Sequence, residues 1–290
     1  PILSCSSPEL VEFVTAVSDW IEIFPAHVWT PHFSIFGIHG FNSVRECYGD
    51  CANKIHALET GLSSDPPMNW RLSSLDKYVL VSNSDSHSPW PWRLGRESNL
   101  FDLREMSYNE MISALRREGR SKLLMTIETH PQYGKYHWSG HRNCNVKRSP
   151  KESAIHGGFC PKCGKRLTKG VEQRVSELAD REMGYRPRGA ADYVHLLPLC
   201  ELIAAAHGIE NVGSAMVWRT FDKLVEGCGS EFAIMLEAEP EKIEQLSDKR
   251  LMEAIMMVRE GHVTIDPGYD GVYGEIKLGS ISEGLRISEG

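Results

Sequence analysis

The stretch Tyr78–His87, YVLVSNSDSH, decides how the chain is interpreted. Its first half is apolar and rich in valine, which predicts a short strand over residues 78–82. Polar residues follow at once and end on Asp85-Ser86-His87. A polar cluster directly after an apolar strand is typical of barrel-type α/β enzymes, because the carboxyl ends of their strands carry the active-site groups.

Two earlier segments repeat this arrangement. Residues 21–24 are an apolar strand candidate followed by His27, and residues 54–59 are a second candidate that ends on Glu59. We expect these polar ends to meet the Asp-x-His pair at one edge of a sheet. Histidine and carboxylate ligands gathered there suit a hydrolytic site with two or three metal ions. A lone histidine is more often an ordinary surface or core residue, so the Asp-x-His pair is the firmer part of the prediction.

The rest of the chain changes from mixed α/β to mainly helical. Helical periodicity predicts helices over residues 8–20, 69–75, 108–117, 198–207, 214–227, 240–246 and 248–260. A hairpin is predicted over residues 263–278 with Asp270-Gly271 as its turn, followed by a frayed tail over residues 279–290.

Length and composition exclude several classes of protein. The chain has 290 residues, of which 41% are hydrophobic and 24% charged, as in a soluble protein of about two domains. No apolar run approaches the roughly 20 residues of a membrane helix. No secretory leader begins the chain, and we predict a cytoplasmic protein whose eight cysteines are metal ligands or buried thiols.

A small metal module is predicted from the cysteines. Cys160-Pro-Lys-Cys163-Gly164 has the spacing of a zinc knuckle, whose tight turn directs two thiolates at one ion. Cys144 is the third ligand, and the fourth is favoured to be His141, with His137 and His156 as alternatives. A redox CxxC is the competing interpretation, but the strand-helix-strand context of a thioredoxin-type motif is missing.

The same region carries an excess of positive charge. Residues 135–188 hold thirteen Lys and Arg against five Asp and Glu, in a chain whose net charge is −7. A basic segment in an acidic chain predicts a footprint for a phosphate backbone, and an ordinary solvated surface is the alternative. The predicted DNA-binding residues are Arg142, Lys147, Arg148, Lys165, Arg166, Tyr269 and Tyr273.

These motifs carry a family resemblance. Residues 82–89, SNSDSHSP, resemble the terminal metal motif of the PHP (polymerase and histidinol phosphatase) superfamily. Longer runs resemble the endonuclease Q family, a group of PHP-domain DNA-repair nucleases. They are PAHVWTPHFSIFG (25–37), ALETGLSSDPPMNWRLS (57–73), SNSDSHSPWPWRLGRE (82–97), GKYHWSGHRNC (134–144), CPKCGKRLTKGVEQRVSELADR (160–181) and PGYDGVYGEIKL (267–278).

The resemblance implies an α/β fold with three parts. Residues 1–125 would be the C-terminal part of a distorted PHP-type (β/α)7 barrel, and residues 126–190 a basic zinc-binding module. Residues 191–290 would be a helical DNA-engaging region with a terminal β-hairpin. Proteins of the superfamily open with a His-x-His pair, whereas this chain has no histidine before His27. We therefore expect a C-terminal portion of such an enzyme, with part of the metal ligands missing and its own activity in doubt.

The resemblance also implies a function. The family hydrolyses DNA on the 5′ side of deaminated bases (hypoxanthine, uracil, xanthine) or abasic sites, so DNA with such lesions is the expected partner. Active-site metal ligands would be His27, Asp85 and His87, with Glu59 as a less certain member, and the ions would be Zn²⁺, Mg²⁺ or Mn²⁺. Asp85 and His87 would be catalytic. Their loop also offers Arg93 or Arg96 for a phosphate oxygen, and Arg93 is our choice.

Base recognition adds aromatic candidates. A damaged base must leave the stack to be recognised, and Trp90, Trp92, Trp138, Tyr269 and Tyr273 could act as a wedge or a stacking wall. Two other functions stay open: a phosphatase for a small phosphorylated metabolite, and a DNA-binding fragment without activity. The zinc knuckle and the basic segment argue against the first, because a small substrate needs neither.

Overall fold

The computed structural model describes residues 3–278 and 285–287. Its helices are α1 Ser7–Val17, α2 Val44–Tyr48, α3 Pro66–Asn69, α4 Tyr108–Arg116, α5 Pro150–Ile155, α6 Val171–Leu178, α7 Leu199–His207, α8 Ala215–Cys228, α9 Glu231–Leu236, α10 Pro240–Leu246 and α11 Lys249–Arg259. Its strands are β1 Ala57–Glu59, β2 Val79–Val81, β3 Ser98–Asp102, β4 Lys122–Glu128, β5 Ser139–His141, β6 Val146–Arg148, β7 Asp192–His195, β8 Val263–Asp266, β9 Glu275–Leu278 and β10 Leu285–Ile287. No helix among the described residues is long and apolar enough to cross a membrane.

Parallel strand pairs build the part of the fold that positions the site. β1 runs parallel to β2, and β4 runs parallel to β7 while β3 pairs antiparallel with β4. The Ser82 hydroxyl joins the two groups, because it donates to the carbonyl of Ile127 over 2.9 Å. The carboxyl ends of β1, β2, β4 and β7 therefore lie at a common edge. The α/β class is confirmed; the described strands form four small sheets, and barrel closure stays a prediction.

The described residues form three hydrophobic cores, of which two are large and the third is a small cluster beside β1 and β2. Around α7, the side chains of Leu202, Ile203, Leu224 and Ile255 are all 0% exposed. Complete burial of each such side chain contributes about 1.5–3 kcal/mol to the free energy of folding. The other large core surrounds Trp29 on the N-terminal side of the sheet. Four of the five C-terminal helices, α7, α8, α10 and α11, were predicted to within one residue at each end, whereas the short helix α9 was not predicted.

The predicted C-terminal hairpin is confirmed. β8 pairs antiparallel with β9, and Asp270 and Gly271 both have positive φ at the turn between Tyr269 and Val272. We call residues 267–274 the hairpin loop. Part of the predicted frayed tail is a strand instead, because residues 285–287 pair with β9. Residues 279–284 and 288–290 of that tail lie outside the described residues.

The structure corrects several predicted elements. Residues 21–24 form no strand, because this segment meets β1 only at its end, through the bond from the Glu59 N–H to the Pro25 carbonyl. α1 stops at Val17, where Ser18 turns to extended backbone. The strand predicted over residues 54–59 begins only at residue 57, after a 3₁₀ turn. The helix predicted over residues 69–75 is α3 followed by a separate 3₁₀ turn.

The predicted domain boundaries cross the sheet. The boundary between residues 125 and 126 falls inside β4, and β7, beyond the boundary between residues 190 and 191, pairs with β4. Neither β4 nor β7 was predicted, since KLLMTIE (122–128) is a short apolar run without alternation and DYVH (192–195) is shorter still. The three predicted regions therefore share one sheet in the structure.

Glycines let the hairpin loop lie against the segment that follows β4. A Cβ atom at Gly274 would overlap the carbonyl oxygen of Gln132 and lie 2.9 Å from that of Asp266. We predict that Gly274→Ala lowers the free energy of unfolding by about 1–3 kcal/mol, because the two backbones must move apart. Urea denaturation measures this. Gly213→Ala is the control, since its Cβ would meet only side-chain atoms, the Asn211 amide oxygen at 3.2 Å and the Trp92 ring at 3.7 Å. Equal stability of the two variants would contradict the prediction.

Candidate functional site

A cavity of 630 Å³ opens at the carboxyl edge of the parallel strands. Its lining includes four predicted site residues, namely His27, Asp85, His87 and Arg93. His27 follows the irregular segment beside β1, and the other three lie in the loop between β2 and β3. The structure thus brings residues from distant parts of the sequence into one cavity.

His27 is held in a strained backbone conformation. Its φ is +33°, and its backbone N–H donates to a carboxylate oxygen of Glu59 over 2.7 Å. Gly61 makes room for it, because a Cβ at Gly61 would lie 2.8 Å from the His27 Cβ. The Nδ1 atom of His27 is buried without a hydrogen-bond partner among the described residues. A buried donor or acceptor without a partner is costly unless a ligand satisfies it.

Asp85 and His87 form a second strained unit on the opposite loop. Asp85 has φ +45°, and its carbonyl oxygen lies 2.7 Å from the Nδ1 of His87. This bond places a proton on Nδ1 and leaves the Nε2 lone pair for a ligand. The side chains are 49% and 86% exposed, so both are accessible. Strain at two non-glycine residues of one cavity is the pattern found at functional sites.

Glu59 lies beneath this unit and uses both carboxylate oxygens internally. One accepts from the His27 N–H, and the other accepts from the Asn83 side-chain amide over 2.8 Å. Glu59 is 6% exposed and is absent from the cavity lining. Both carboxylate oxygens of Glu59 are thus engaged in hydrogen bonds that hold its neighbours, and its part in a metal site stays a prediction.

The donor types of the cavity fit a metal ion. Imidazole and carboxylate suit zinc and other divalent cations, and the buried Nδ1 of His27 has the character of an unused ligand. His27, Asp85 and His87 line the same cavity, but their ligand atoms do not all lie within 4.8 Å of one another. Within the described residues, only the cysteine knuckle has three or more ligand atoms within 4.8 Å of one another.

The knuckle gathers His141, Cys144, Cys160 and Cys163. His141 ends β5, and its Nδ1 lies 3.4 Å from the sulfur of Cys163. Gly164 closes the turn with φ +72°, and its N–H donates to the Cys160 carbonyl over 2.8 Å. The alternatives His137 and His156 lie outside this group of ligand atoms.

The thiols of the knuckle differ in acidity. Desolvation raises the pKa of Cys160, but hydrogen bonds with His141 and with backbone N–H groups outweigh it and lower the pKa to about 6. A hydrogen bond with Cys163 raises the pKa of Cys144 to about 11. The surroundings thus favour the thiolate form of Cys160 and the protonated thiol of Cys144. A divalent cation would favour the deprotonated form of every thiol at once.

The predicted DNA-binding residues divide into exposed and engaged groups. Arg142, Lys165 and Arg166 are exposed on the knuckle surface. Two others are engaged in ion pairs, since Lys147 pairs with Asp266 and Arg148 lies 3.6 Å from Glu152.

The two predicted stacking tyrosines have different surroundings. Tyr269 is 7% exposed, and its hydroxyl donates to the Asn145 side chain over 2.6 Å. Its ring packs beside Gly140, so it belongs to the interior and offers no open face to a base. Tyr273 is 42% exposed and lines the cavity.

Sequence reasoning missed a pair of carboxyl groups beneath the cavity. Glu97 and Glu128 are 2% and 0% exposed. Burial raises the pKa of Glu128 to about 8, and burial together with the charge of Glu128 raises the pKa of Glu97 well above its ordinary range. The only signal in the sequence was an acidic residue next to an apolar segment, with Glu97 directly before β3 and Glu128 at the end of β4.

The surrounding hydroxyls are consistent with protonated carboxyls. The Thr60 hydroxyl lies 3.1 Å from the Val81 carbonyl and 3.0 Å from Glu128. The Ser82 hydroxyl lies 2.9 Å from the Ile127 carbonyl and 3.2 Å from Glu97. A hydroxyl has one proton, so it can donate to the carbonyl and accept from the carboxylic acid.

Two histidines stack beside this network. The rings of His130 and His195 lie 4.1 Å apart, and the Nε2 of His195 lies 3.1 Å from Asp65. Burial, aided by His195, lowers the pKa of His130 to about 3. His130 is therefore neutral at physiological pH, and stacking on His195 costs no charge repulsion.

Comparison with known proteins begins with the C-terminal helices. Residues 198–262 match a family model described as the MJ0043 C-terminal domain. The chain is 29% identical over 255 residues to the uncharacterised protein MJ0043 of Methanocaldococcus jannaschii, covering 86% of this chain and 31% of that protein. It is 32% identical over 254 residues to the uncharacterised protein YqxK of Bacillus subtilis, covering 87% of this chain and 60% of that protein. The chain thus spans less than two thirds of either relative.

Two solved structures resemble the fold over nearly its whole length. The lesion-specific endonuclease PfuEndoQ of Pyrococcus furiosus superposes with a TM-score of 0.85 at 34% identity, covering 94% of this chain and 66% of that one. Endonuclease Q in complex with a 27-mer duplex substrate, with an abasic lesion at the active site, superposes with a TM-score of 0.84 at 33% identity. That match covers 98% of this chain and 70% of the other.

The buried carboxyls generate a pH prediction. The folded pKa of Glu128, about 8, exceeds the ordinary value of 4.5, so the folded state holds an extra proton between these pH values. Stability falls as pH rises through this window, by up to about 1.4 kcal/mol per pH unit for each such group. Glu128→Gln keeps the shape of the protonated acid. Its stability relative to wild type should increase from pH 5 to pH 8.5 in urea denaturation.

A surface carboxylate provides the control for this experiment. Glu260 is 53% exposed beside His262, so Glu260→Gln should leave the pH profile close to that of wild type. A constant stability difference between Glu128→Gln and wild type across the pH range would show that Glu128 is ionised in the folded protein.

Proposed function

Because this chain belongs to the endonuclease Q family, we propose that it is the part of a DNA-repair endonuclease that carries much of the active site. The proposed reaction is hydrolysis of the phosphodiester on the 5′ side of a deaminated base or an abasic site. Hypoxanthine, uracil and xanthine are the proposed bases. The observation that carries the proposal is the meeting of His27, Asp85 and His87 in one cavity that Arg93 also lines.

The proposed metal site uses side-chain atoms of the cavity that are able to bind a metal ion. His27 offers its buried Nδ1, and His87 offers its Nε2 while its other nitrogen is held by the Asp85 carbonyl. Asp85 adds a half-exposed carboxylate. Zn²⁺, Mg²⁺ or Mn²⁺ bound there would polarise the phosphate and make water more acidic. Glu59 is proposed as a positioning residue, because it holds the His27 N–H and the Asn83 amide.

The cavity and its surroundings suit a DNA strand. Arg93 lies in the loop that follows Asp85 and His87, and we propose that its planar guanidinium binds a phosphate oxygen. On the knuckle surface, Arg142, Lys165 and Arg166 are exposed and would track the backbone. This basic surface favours a polymeric substrate over a small phosphorylated metabolite.

An aromatic stack beside the cavity supports recognition of a lesion. The rings of Trp90 and Trp92 lie 5.0 Å apart in the same loop, and Trp90 is 57% exposed. Trp92 in turn lies 6.0 Å from Trp218 of α8. We propose that Trp90 stacks on a base beside the flipped nucleotide, since every base offers a π-face. Trp138 is half-buried, and its backbone is bound to the hairpin loop.

We propose that the knuckle binds structural zinc through His141, Cys144, Cys160 and Cys163. Cys160→Ser should lower zinc content by about one ion per chain and destabilise the knuckle, because metal binding free energy becomes folding free energy. Elemental analysis and thermal unfolding with and without chelator measure both effects. Cys228→Ser is the control, since Cys228 lies in α8 outside the knuckle. Equal zinc content in the two variants would contradict the assignment.

A nicking assay tests the proposed function. The complete gene product that contains this chain is incubated with an end-labelled duplex carrying one abasic site or one deaminated base, with divalent metal or EDTA. We expect one EDTA-sensitive nick directly 5′ of the lesion. His87→Ala should reduce it more than about 100-fold, because loss of a mere hydrogen-bond partner of a metal ligand costs about 10–100-fold.

His262→Ala is the matched control for this assay, because His262 is exposed and absent from the cavity lining. Its nicking rate should equal that of wild type. Release of phosphate from small phosphoesters without nicking would favour the metabolite phosphatase. Binding without cleavage would favour a DNA-binding fragment.

A further inference from the structure

Lys135 stands out among the cations of the cavity. Its Nζ lies 5.6 Å from the ring centroid of Tyr136 and 5.6 Å from that of Tyr273. Lys135 and both tyrosines line the cavity. Within residues 3–278 and 285–287, its ammonium has no ion pair and no hydrogen bond to a protein group. The aromatic faces attract the charge without neutralising it, so the ammonium keeps its capacity to bind an anion.

The hairpin loop fixes the backbone that carries Lys135. The Gly271 N–H donates to the Lys135 carbonyl over 2.8 Å, and the Gly274 N–H donates to the Tyr133 carbonyl over 2.9 Å. The Gly268 N–H donates to the Gln132 carbonyl over 2.9 Å. Tyr273 lies between two of these donors in sequence, so the same contacts place its ring beside the ammonium. The hairpin loop therefore fixes the backbone of Lys135 and also supplies one of the two rings beside its ammonium.

The charge of the cavity favours an anionic ligand. Among the described residues that line it, Arg93, Arg96 and Lys135 are accompanied by one carboxylate residue, Asp85. A long flexible lysine on an open surface loses side-chain entropy when it binds. The contacts with two rings restrict the Lys135 side chain, so binding a phosphate oxygen costs it less conformational entropy.

We propose that Lys135 binds a non-bridging phosphate oxygen of the DNA strand in the cavity, and that Tyr136 and Tyr273 position its ammonium. This inference rests on the proposed function and adds to it a phosphate-binding residue from the segment after β4. It also gives the hairpin loop a role at the site, because that loop supplies Tyr273.

The test measures DNA binding and nicking by Lys135→Gln in the complete gene product. Affinity for an abasic duplex is measured by fluorescence anisotropy over a range of salt concentrations. We expect affinity to fall roughly ten- to hundred-fold at low salt, as for loss of a hydrogen bond to a charged group. The slope of log K against log salt should decrease in magnitude by about 0.9, the value for one phosphate contact. Lys135→Arg should retain the slope, because it retains the charge.

Lys77→Gln is the matched control. The Lys77 Nζ lies 5.0 Å from the Tyr78 ring centroid, so it makes the same kind of contact outside the cavity. Its affinity and salt slope should equal those of wild type. Tyr273→Leu tests the positioning role, and it should weaken affinity while leaving the salt slope unchanged. Thermal unfolding confirms that each variant is folded.

The outcomes separate the two proposals. Wild type that binds and nicks the lesion, with an unchanged affinity and salt slope for Lys135→Gln, would overturn the role of Lys135 alone. Wild type that neither binds nor nicks any lesion would overturn the proposed function, and the role of Lys135 would fall with it.

Discussion

The carboxylate of Glu59 ties together the chain segments that form the cavity. It accepts the N–H of His27 with one oxygen and the side-chain amide of Asn83 with the other. His27 could not hold its positive φ in isolation, since such a conformation persists only where its surroundings over-determine it. The short hydrogen bond from the His27 N–H to the buried Glu59 side chain provides this restraint. Because Glu59 ends β1, its hydrogen bonds fix the position of the His27 imidazole relative to the loop that carries Asp85 and His87.

Near Glu59, hydrogen bonds between two hydroxyls and two protonated carboxyl groups, those of Glu97 and Glu128, join the strand ends. Thr60 links β1 to Glu128 of β4, and Ser82 links β2 to Glu97. Two buried carboxylates so close to each other could not both be ionised without a large cost in desolvation and repulsion. As acids, they donate hydrogen bonds and join parallel strands whose pairing is only three or four residues long. His27, Asp85 and His87 in the cavity therefore lie above a pair of carboxyl groups that carry no charge.

Local patterns in the sequence predicted those parts of the site that depend on neighbours in the chain. Asp85 and His87 follow a strand directly, and Cys160 and Cys163 have the spacing of a knuckle, so both could be recognised. Lys135 and Glu128 could not, because their roles come from partners far away in sequence, Tyr273 and Thr60. Four of the five C-terminal helices were predicted closely, because their apolar residues recur at helical spacing over at least seven residues. Among the parallel strands, β1 and β2 were predicted, whereas β4 and β7 were not, because an apolar run without alternation and a four-residue strand carry little periodicity.

The contacts of the knuckle connect its cysteines to the hairpin loop, which forms part of the cavity wall. Asn145 follows Cys144 with φ +48°, and its side chain accepts a hydrogen bond from the Tyr269 hydroxyl. The Arg142 N–H donates to Asp270 at the tip of the same hairpin loop. The proposed zinc ion would fix Cys144 and, through Arg142 and Asn145, the hairpin loop that supports Lys135. The knuckle residues lie outside the cavity lining, and these hydrogen bonds link them to one wall of the cavity.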